Sequence, residues 1–258
     1  MTGRPLITVI TVVLNRRDDL EPTIRSVLDQ TYDNIEYIVI DGGSSDGTLE
    51  VIRKYSRDID RWVSEPDSGI YDAMNKGAFN AHGSWINFMN AGDAFYDSAV
   101  IEDMVPAMHE NADVIYGDHQ FMYDDKTKKI WRAQGSDRLW KGMVFCHQSA
   151  FVRTKLMKQE PFSLSNNLTS DFDLLYSLYI RGYTFLQCDR IIAVVSADGL
   201  SGSKSVSTAA HHWLTVRRLS GGFKVDAYYI VLILKSFVAS IIKSVLPGKW
   251  SSFLRARW

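Results

Sequence analysis

The first half of the chain alternates short apolar runs with segments of helical character. Residues 6–13 (LITVITVV) form a continuous β-branched run, which is typical of a strand covered on both faces. A helix is predicted over 19–30, where Asp18 and Glu21 have the spacing of a capping box. A second apolar run at 35–40 ends in the turn-rich sequence DGGSSDGT.

A further helix and a short strand at 61–65 follow this turn. Strands and helices that alternate in units this short indicate βαβ crossovers and a parallel sheet. Ligands of such sheets bind beyond the carboxyl ends of the strands. The polar residues at the predicted strand ends are therefore candidates by position alone, namely Asn15, Asp41, Glu65, Asp67 and Asp93.

The second half has a more mixed pattern and no internal repeat or low-complexity linker. It predicts a helix at 171–181 and strands at 84–90, 113–117, 120–123, 147–152, 183–187 and 191–196. We therefore expect one α/β domain over 1–203, followed by a helical tail over 204–258.

Composition agrees with a globular protein, because 46% of the 258 residues are hydrophobic and 23% are charged. The two cysteines, Cys146 and Cys188, are too few for a disulfide framework and fit a reducing compartment. The opening residues predict a buried strand and not a signal peptide, because the apolar run contains threonines and lacks a small-residue cleavage site.

Charge is distributed unevenly along the chain. Nine of the 29 Lys and Arg residues, but one of the 30 Asp and Glu residues, lie within 204–258. An acidic body with a basic, apolar tail suggests a domain that sits on an anionic surface. Nucleic acid is not the expected partner, because the basic residues do not accompany an aromatic-studded sheet.

The segment DGGSSDGT places Asp41 at the tip of a buried strand. A carboxylate there can accept the ring N–H of a uracil, while the backbone N–H groups of the turn face an anion. A solvated turn with Asp46 capping the next helix would use the same residues. The polar segment EPDSGIYDAMNKG (65–77) favours a ligand, although Asp72 and Lys76 have the spacing of an exposed ion pair.

Asp93 follows another apolar strand within FMNAGDAFYD (88–97). A divalent cation such as Mg²⁺ or Mn²⁺ prefers oxygen ligands, including carboxylates and substrate phosphates. Such an ion would neutralise the charge that develops on a departing diphosphate. The alternative is that Asp93 caps a helix.

These three segments, in this order, resemble glycosyltransferase family 2, whose members are inverting enzymes with a GT-A fold. The resemblance extends over residues 5–203 and is closest to enzymes that build bacterial exopolysaccharide, O-antigen or colanic acid. It implies a Rossmann-like, mostly parallel central sheet flanked by helices, with C-terminal amphipathic helices in this chain. It also implies a nucleotide-sugar donor, preferably a UDP-sugar, and a divalent metal, Mn²⁺ or Mg²⁺.

The resemblance also assigns roles on the donor side. It implies that Thr11 and Asp41 contact the nucleoside and that Asp93 holds the metal. Only one carboxylate stands in the sequence Asn90-Ala91-Gly92-Asp93, so the diphosphate would supply most of the anionic ligands. The further residues expected to bind the nucleotide or donor sugar are Asn15, Glu65, Asp67 and Asn90.

On the acceptor side, the segment SDFDLLYSLYIRGYTF (170–185) resembles the acidic motif that carries the base of the family. A single inverting displacement needs one base on the face opposite the departing diphosphate. Asp171 is the expected base, with Asp173 as the second candidate unless it only pairs with Arg181 or the helix dipole. The residues expected to line the cleft are Asp118, His147 and Gln148, although His147 could be a core histidine.

Two C-terminal features complete the prediction. The sequence at 198–201 resembles a loop that closes over the donor, or it is a plain surface turn. Residues 227–246 predict an amphipathic helix, since Lys235, Ser236, Ser240, Lys243 and Ser244 share one half of its surface. Phe237, Val238, Ile241 and Val245 occupy the other half.

The sequence GKWSSFLRARW that follows is of the kind found at lipid headgroups. We expect a peripheral enzyme at the cytoplasmic face of the bacterial inner membrane, acting on a saccharide or lipid-linked acceptor. The tail could instead pack on the domain or on a second copy of the chain. The alternatives to the enzyme are a nucleotidyltransferase on a similar fold and a non-catalytic protein that binds nucleotide sugars.

Overall fold

The computed structural model describes residues 4–122, 127–196 and 205–245, and within the last range it describes side chains for 206–236. The elements of the first half alternate as predicted. They are β1 (Ile7–Val13), α1 (Arg17–Leu28), β2 (Ile35–Asp41), α2 (Thr48–Lys54), β3 (Arg61–Ser64), α3 (Ile70–Asn80), β4 (Trp85–Phe88), β5 (Ala94–Phe95) and α4 (Val100–Met104).

The second half contains longer strands and the C-terminal helices. Its elements are β6 (Val114–Met122), β7 (Lys128–Trp131), β8 (Ala150–Arg153), α5 (Thr154–Gln159), α6 (Ser170–Ile180), β9 (Phe185–Ser196), α7 (Ser205–Leu219) and α8 (Phe223–Val245). Short 3-10 helices occur at Val105–Ala107, Ser136–Lys141 and His147–Ser149.

One sheet contains all of these strands in the order β3-β2-β1-β4-β8-β6-β9-β5, with β7 paired to β6. The strands β3, β2, β1 and β4 are parallel, as the βαβ pattern predicts. Beyond β4 the sheet is mixed, because β8 runs antiparallel to both β4 and β6 while β6 and β9 are parallel. The parallel half therefore carries the strand ends that the sequence singled out.

Strand β1 is buried along its whole length, which agrees with its uninterrupted apolar sequence. Ile10 and Val12 pack into one core layer with residues of α3. Ile7, Val9 and Val13 pack into the other layer, which includes residues of α1. The alternation of side chains thus places β1 at the centre of the molecule.

Two predicted pairs of strands are single strands in the structure. The predicted strands at 113–117 and 120–123 overlap the single strand β6 (Val114–Met122), with position 123 outside the described residues, and those at 183–187 and 191–196 overlap the single strand β9 (Phe185–Ser196). The register between β6 and β9 shifts at Tyr116, Asp118 and His119, and a side chain on Gly117 would come within 2.5 Å of the Arg190 carbonyl oxygen. Polar residues lie at this irregularity, and the sequence pattern therefore predicted an interruption within each strand.

The predicted capping box of α1 is wrong. Arg16 occupies the N-cap position and its side chain makes no capping hydrogen bond. Glu21 instead accepts hydrogen bonds from Lys54 Nζ (2.9 Å) and the Tyr55 hydroxyl (2.7 Å) at the end of α2. These contacts, with Lys54 as the largest cause, lower the pKa of Glu21 to about 2. Glu21 therefore joins two helices and does not begin one.

Asn75 of α3 fixes the segment that leads into α6. Its side-chain oxygen accepts a hydrogen bond from the Phe162 backbone N–H (2.8 Å), and its amide donates to the Phe162 carbonyl (2.9 Å). The Phe162 ring packs against Tyr71 and Phe88 at centroid distances of 5.3 and 5.6 Å. Because α6 follows this segment, the clamp helps to bring α6 against α3.

The helices α7 and α8 pack on the domain and on each other. The His212 ring lies 4.0 Å from the Phe172 ring, and the Tyr176 hydroxyl is 2.6 Å from the Ser220 hydroxyl. The expected boundary at 203 and the expected loop at 198–201 lie outside the described residues, and so does the sequence from 246 onward. No helix in the described ranges is long and apolar enough to span a bilayer.

We predict that Asn75→Ala lowers the free energy of unfolding by about 2–4 kcal/mol, because two buried backbone groups of Phe162 lose their partners. Urea unfolding followed by fluorescence measures the change. The control is Asn80→Ala on the same helix, where the side chain donates only to the Lys76 carbonyl (2.7 Å). Equal losses for the two variants would contradict the structural role of Asn75.

Candidate active site

The predicted donor-side residues gather at one edge of the sheet. Asp41 is the last residue of β2, Asn15 follows β1, and Asn90 and Asp93 follow β4. Since β2, β1 and β4 are adjacent and parallel, their carboxyl ends open onto the same side of the molecule.

The loops after β1 and β2 are tied to each other. Asn15 adopts a left-handed backbone conformation (φ 50°). Its side-chain oxygen accepts from the Ser45 N–H (2.9 Å), and its own N–H donates to the Ser44 hydroxyl (2.8 Å). Asn15 therefore holds the serine-rich turn in place.

Asp41 is fully buried, and its carboxylate is occupied by groups of its own chain. It accepts hydrogen bonds from the Ser44 N–H (3.1 Å), the Ser44 hydroxyl and the Ser64 hydroxyl (2.6 Å). A nucleobase N–H would reach this carboxylate only if one of the serine hydroxyls turned away. The contact between Asp41 and the nucleoside stays a prediction.

Thr11 lies in the core beneath this turn. Its side chain is fully buried, and its hydroxyl bonds to the Tyr37 hydroxyl (2.9 Å) and the Met89 carbonyl (2.8 Å). The structure therefore gives Thr11 a supporting position, and its expected contact with the nucleoside stays a prediction.

The loop after β3 adds two acidic residues. Asp67 accepts from the Gly69 N–H (2.9 Å) and lies against Gly42, where a β-carbon would come within 2.4 Å of its carboxylate. Glu65 is half exposed and pairs with Lys76 at 2.9 Å. The predicted pair between Asp72 and Lys76 is longer, at 3.7 Å. Gly42 thus leaves room for Asp67 beside the turn that carries Asp41.

A chain of hydrogen bonds links the expected base to the loop after β4. Asp171 accepts from the Tyr71 hydroxyl (2.8 Å), and its other oxygen lies 3.1 Å from His147 Nδ1. The second ring nitrogen of His147 lies 3.2 Å from the Asn90 side-chain nitrogen. Helices α3 and α6 are thereby joined to the donor-side edge through one imidazole.

The hydrogen-bonded neighbours of Asp171 also set its charge. Burial raises the pKa of Asp171, but the hydrogen bonds from His147 and Tyr71 outweigh it and hold the pKa below the ordinary value. The carboxylate is therefore ionised at neutral pH, which is the form that accepts a proton.

Asp93 lies in the same region, but its pKa is shifted in the opposite direction. It is buried, and it accepts from the Gln148 side-chain amide (2.6 Å) and the Ser196 N–H (3.3 Å). Burial raises its pKa to about 6, although the Gln148 hydrogen bond opposes the shift. The adjacent residues His147 and Gln148 thus bind the two expected functional carboxylates, one each.

The remaining candidates have structural partners elsewhere. Asp173 accepts from the Asn166 amide (2.9 Å) and the Thr215 hydroxyl, and Arg181 pairs with Glu160 instead of Asp173. Asp118 is buried and accepts from Arg132 and from the Ala133 N–H (2.8 Å). Among the described contacts, neither Asp173 nor Asp118 shares a hydrogen-bond partner with Asp171.

The residues after β4 fit a divalent cation only as a partial site. The Asn90 side-chain oxygen is buried and has no hydrogen-bond partner among the described residues, and the Asp93 carboxylate stands three residues further on. In the part of the chain that the structure describes, no three His, Cys, Asp or Glu residues form a cluster that could hold a metal. A carboxylate and an amide oxygen suit Mg²⁺ or Mn²⁺, with phosphate oxygens completing the shell.

Sequence reasoning named His147 and Gln148 but missed Tyr71 and Ser64, which bind Asp171 and Asp41. Tyr71 lies 100 positions from Asp171 along the chain, and Ser64 lies 23 positions from Asp41. The only indication of Tyr71 was its place in the polar segment EPDSGIYDAMNKG.

The sheet and its functional edge define a GT-A glycosyltransferase fold. The structure superposes on mannosyltransferase PcManGT from Pyrobaculum calidifontis, in complex with GDP-Man and Mn²⁺, with a TM-score of 0.70 at 15% identity, over 99% of this chain and 80% of that one. Residues 1–349 of S. aureus TarS, in complex with UDP-GlcNAc, give 0.65 at 14% identity, over 88% and 70% of the two chains. The match covers 42% of the longer TarS structure.

The sequence relatives are glycosyltransferases. A PGL/p-HBAD biosynthesis glycosyltransferase of Mycobacterium tuberculosis is 31% identical over 176 residues, which are 66% of this chain and 68% of the relative. The putative teichuronic acid biosynthesis glycosyltransferase TuaG of Bacillus subtilis is 30% identical over 128 residues, or 48% and 50%. The model of Glycosyl transferase family 2 matches residues 8–172, and the chain belongs to this family. The predicted family and fold are confirmed.

We predict that Asp93→Asn stabilises the protein relative to wild type increasingly as the pH rises from 4 to 7. The folded state binds a proton at Asp93 more tightly than the unfolded state, so wild-type stability falls as the pH passes from the ordinary value of 3.8 through about 6. The gain at pH 7 is at most about 3 kcal/mol.

Urea unfolding at pH 4, 5.5 and 7 measures this difference. Asp58→Asn is the control, because Asp58 is exposed and its replacement removes one carboxylate without relieving burial. A gap between Asp93→Asn and wild type that did not change with pH would contradict the burial argument.

Proposed function

We propose that this glycosyltransferase moves a sugar, with inversion, from a nucleotide-sugar donor to a hydroxyl of a saccharide or lipid-linked acceptor in bacterial cell-surface polysaccharide biosynthesis. A UDP-sugar is the preferred donor. The observation that carries this proposal is the ionised Asp171, held by Tyr71 and His147, while the adjacent Gln148 binds the buried Asp93. The names of the mycobacterial and Bacillus relatives, which refer to PGL and teichuronic acid biosynthesis, support the acceptor class.

The donor would lie across the loops that follow β1, β2 and β4. Asn15 orders the turn that carries Asp41, and backbone N–H groups of this turn can face the diphosphate. Glu65 and Asp67 are the expected contacts of the nucleotide and donor sugar. Asp93, with the unpartnered Asn90 oxygen, would hold Mn²⁺ or Mg²⁺. When bound, the cation neutralises charge on the departing diphosphate.

On the acceptor side, Asp171 would take the proton of the attacking hydroxyl. The new bond forms at the anomeric carbon as the bond to the diphosphate breaks on the opposite face, so the configuration inverts. Fixing both oxygens of Asp171 with hydrogen bonds keeps the base in one orientation before the acceptor arrives. His147 and Gln148 are the expected lining of this cleft, whereas Asp118 binds Arg132 and the Ala133 N–H.

We expect Asp171→Asn to lower the rate of transfer by about 10²–10⁴-fold, because the general base is lost. Donor binding should be unaffected, since Asp171 acts on the acceptor. The assay follows nucleoside diphosphate release from UDP-glucose, UDP-GlcNAc and GDP-mannose with Mn²⁺ and a bacterial lipid extract. Thermal shift with each donor measures binding.

Asp173→Asn is the matched control, because Asp173 lies on the same first turn of α6 but is bound to Asn166 and Thr215. It should retain transfer within about 5-fold, as expected for a residue outside the chemistry. Loss of transfer in Asp173→Asn with normal activity in Asp171→Asn would reverse the assignment of the base.

We also propose that the enzyme works while docked on the cytoplasmic face of the inner membrane. On α8, Phe223, Ala227, Ile230, Val231 and Leu234 have the spacing i, i+4, i+7, i+8 and i+11, and we call them the α8 stripe. The exposed fractions of Phe223, Ile230, Val231 and Leu234 are 89%, 46%, 50% and 58%.

The opposite face of α8 packs on the protein, where Val225 and Tyr229 are buried. Lys224 and Lys235 are exposed beside the α8 stripe. An apolar stripe flanked by cations fits a bilayer with anionic headgroups. Of the predicted polar half of the helix, the described side chains are Lys235, which is exposed, and Ser236, which is half-buried.

The double substitution Phe223→Ser and Leu234→Ser should weaken binding to vesicles of phosphatidylcholine and phosphatidylglycerol by about 10-fold or more, because less apolar surface is buried. Co-sedimentation of the full chain measures the partition. Phe79→Ser is the control, since Phe79 is 55% exposed on α3 and lies outside the stripe. Unchanged co-sedimentation of the double variant would contradict docking through α8.

A further inference from the structure

His147 lies between two polar side chains that belong to different halves of the site. Its Nδ1 is 3.1 Å from an Asp171 carboxylate oxygen, and its Nε2 is 3.2 Å from the Asn90 side-chain nitrogen. The imidazole is mostly buried, and so is the carboxylate of Asp171. The ring therefore spans the distance between the base and the loop after β4.

The chemistry of the two neighbours allows one arrangement of hydrogens on a neutral ring. The nitrogen of an asparagine amide donates hydrogen bonds and does not accept them, so Nε2 of His147 must be the acceptor. The single ring hydrogen then resides on Nδ1. Nδ1–H donates to Asp171, whose ionised carboxylate can only accept.

Tyr71 makes the corresponding contact on the other side of the carboxylate. Its hydroxyl donates to one Asp171 oxygen at 2.8 Å, while His147 faces the second oxygen. Asp171 lies in the first turn of α6, and each of its carboxylate oxygens faces a side chain from another element. Its orientation thus depends on α3 and on the 3-10 helix that contains His147.

We propose that His147 is a positioning residue that aligns the base Asp171 with the donor-side loop, by donating Nδ1–H to Asp171 and accepting the Asn90 amide at Nε2. This role rests on the proposed function of Asp171. His147 thereby fixes the position of helix α6 relative to the loop after β4, so that the acceptor hydroxyl meets the donor at the right distance. Displacement of a reacting group by about 1 Å can cost about 100-fold in rate.

The hydrogen positions can be observed without any substrate. In protein with ¹⁵N-labelled histidine at pH 8, long-range ¹⁵N–¹H spectra distinguish the protonated from the bare ring nitrogen. The His147 signals are those that disappear in the His147→Asn variant. We expect a hydrogen on Nδ1 and a bare Nε2. A bare Nδ1, or hydrogens on both nitrogens, would overturn the proposal.

Two substitutions separate the two contacts in the full-length enzyme. The amide of His147→Asn can replace Nδ1–H toward Asp171, whereas the longer side chain of His147→Gln extends to the Nε2 position near Asn90. We expect kcat to fall by less than about 10-fold for His147→Asn, which keeps the contact to the base but loses the one to Asn90, and by about 10- to 100-fold for His147→Gln and His147→Ala, which lose the contact to the base. The donor KM should change by less than about 2-fold in all three variants.

The control is His82→Asn. His82 also places Nδ1 against a carboxylate, at 2.6 Å from Glu36, but it is exposed and lies before β4 at the opposite end of that strand. Its replacement should leave kcat and KM unchanged. A purely structural role of His147 would lower stability and raise the donor KM without the rescue by asparagine, and this result would also overturn the proposal.

The outcomes distinguish this inference from the proposed function. If Asp171→Asn retains transfer, the base assignment fails, and the ring hydrogens still report whether His147 bridges Asp171 and Asn90. If Asp171→Asn loses transfer while His147→Gln and His147→Ala keep wild-type kcat, the base assignment stands and the positioning role alone is refuted.

Discussion

Burial of polar groups at the carboxyl edge of the sheet is the constraint on which the site depends. A carboxylate removed from water must find donors, or its charge becomes too costly to keep. Asp41 obtains hydroxyl and backbone donors from Ser44 and Ser64, and Asp171 obtains Tyr71 and His147. Ser64, Tyr71 and His147 belong to β3, α3 and a 3-10 helix, so the buried carboxylates tie together elements that are distant in sequence. The geometry of the site therefore follows from the need to supply hydrogen-bond donors to carboxylates that are removed from water.

Asp93 and Asp171 are both subject to this constraint, yet their pKa values are shifted in opposite directions. Asp171 has a charge-stabilising donor on each oxygen, and its pKa falls below the ordinary value. Asp93 has the neutral Gln148 amide and one long backbone contact, and burial keeps its pKa near 6. One carboxylate is therefore prepared to receive a proton. The described residues form no ion pair with Asp93, and a divalent ion there would supply a cationic partner.

The sequence predicted the parallel half of the fold well, because strand β1 and its neighbours are apolar throughout and end in polar turns. It failed where tertiary contacts override local pattern. Glu21 has the spacing of a capping-box residue but binds Lys54. Near Gly117, the polar residues at the bulge led to the prediction of two strands where the structure has one. The strand ends Asp41 and Asp93 were predictable from position, whereas the contact of Asp171 with Tyr71 was not, since contacts across 100 residues leave no periodicity in a single sequence.

The family match ends at residue 172, one position after Asp171. The helices and strand that follow, including α7 with its contacts to α6, therefore lie beyond the stretch that this chain shares most clearly with its family. The residues expected at the donor edge and those expected in the acceptor cleft lie within the shared part, whereas β9, α7, α8 and most of α6 lie beyond it. Such a division lets one portion of a polypeptide diversify while the other is retained. The C-terminal third can then vary in sequence while the residues expected to form the site are kept.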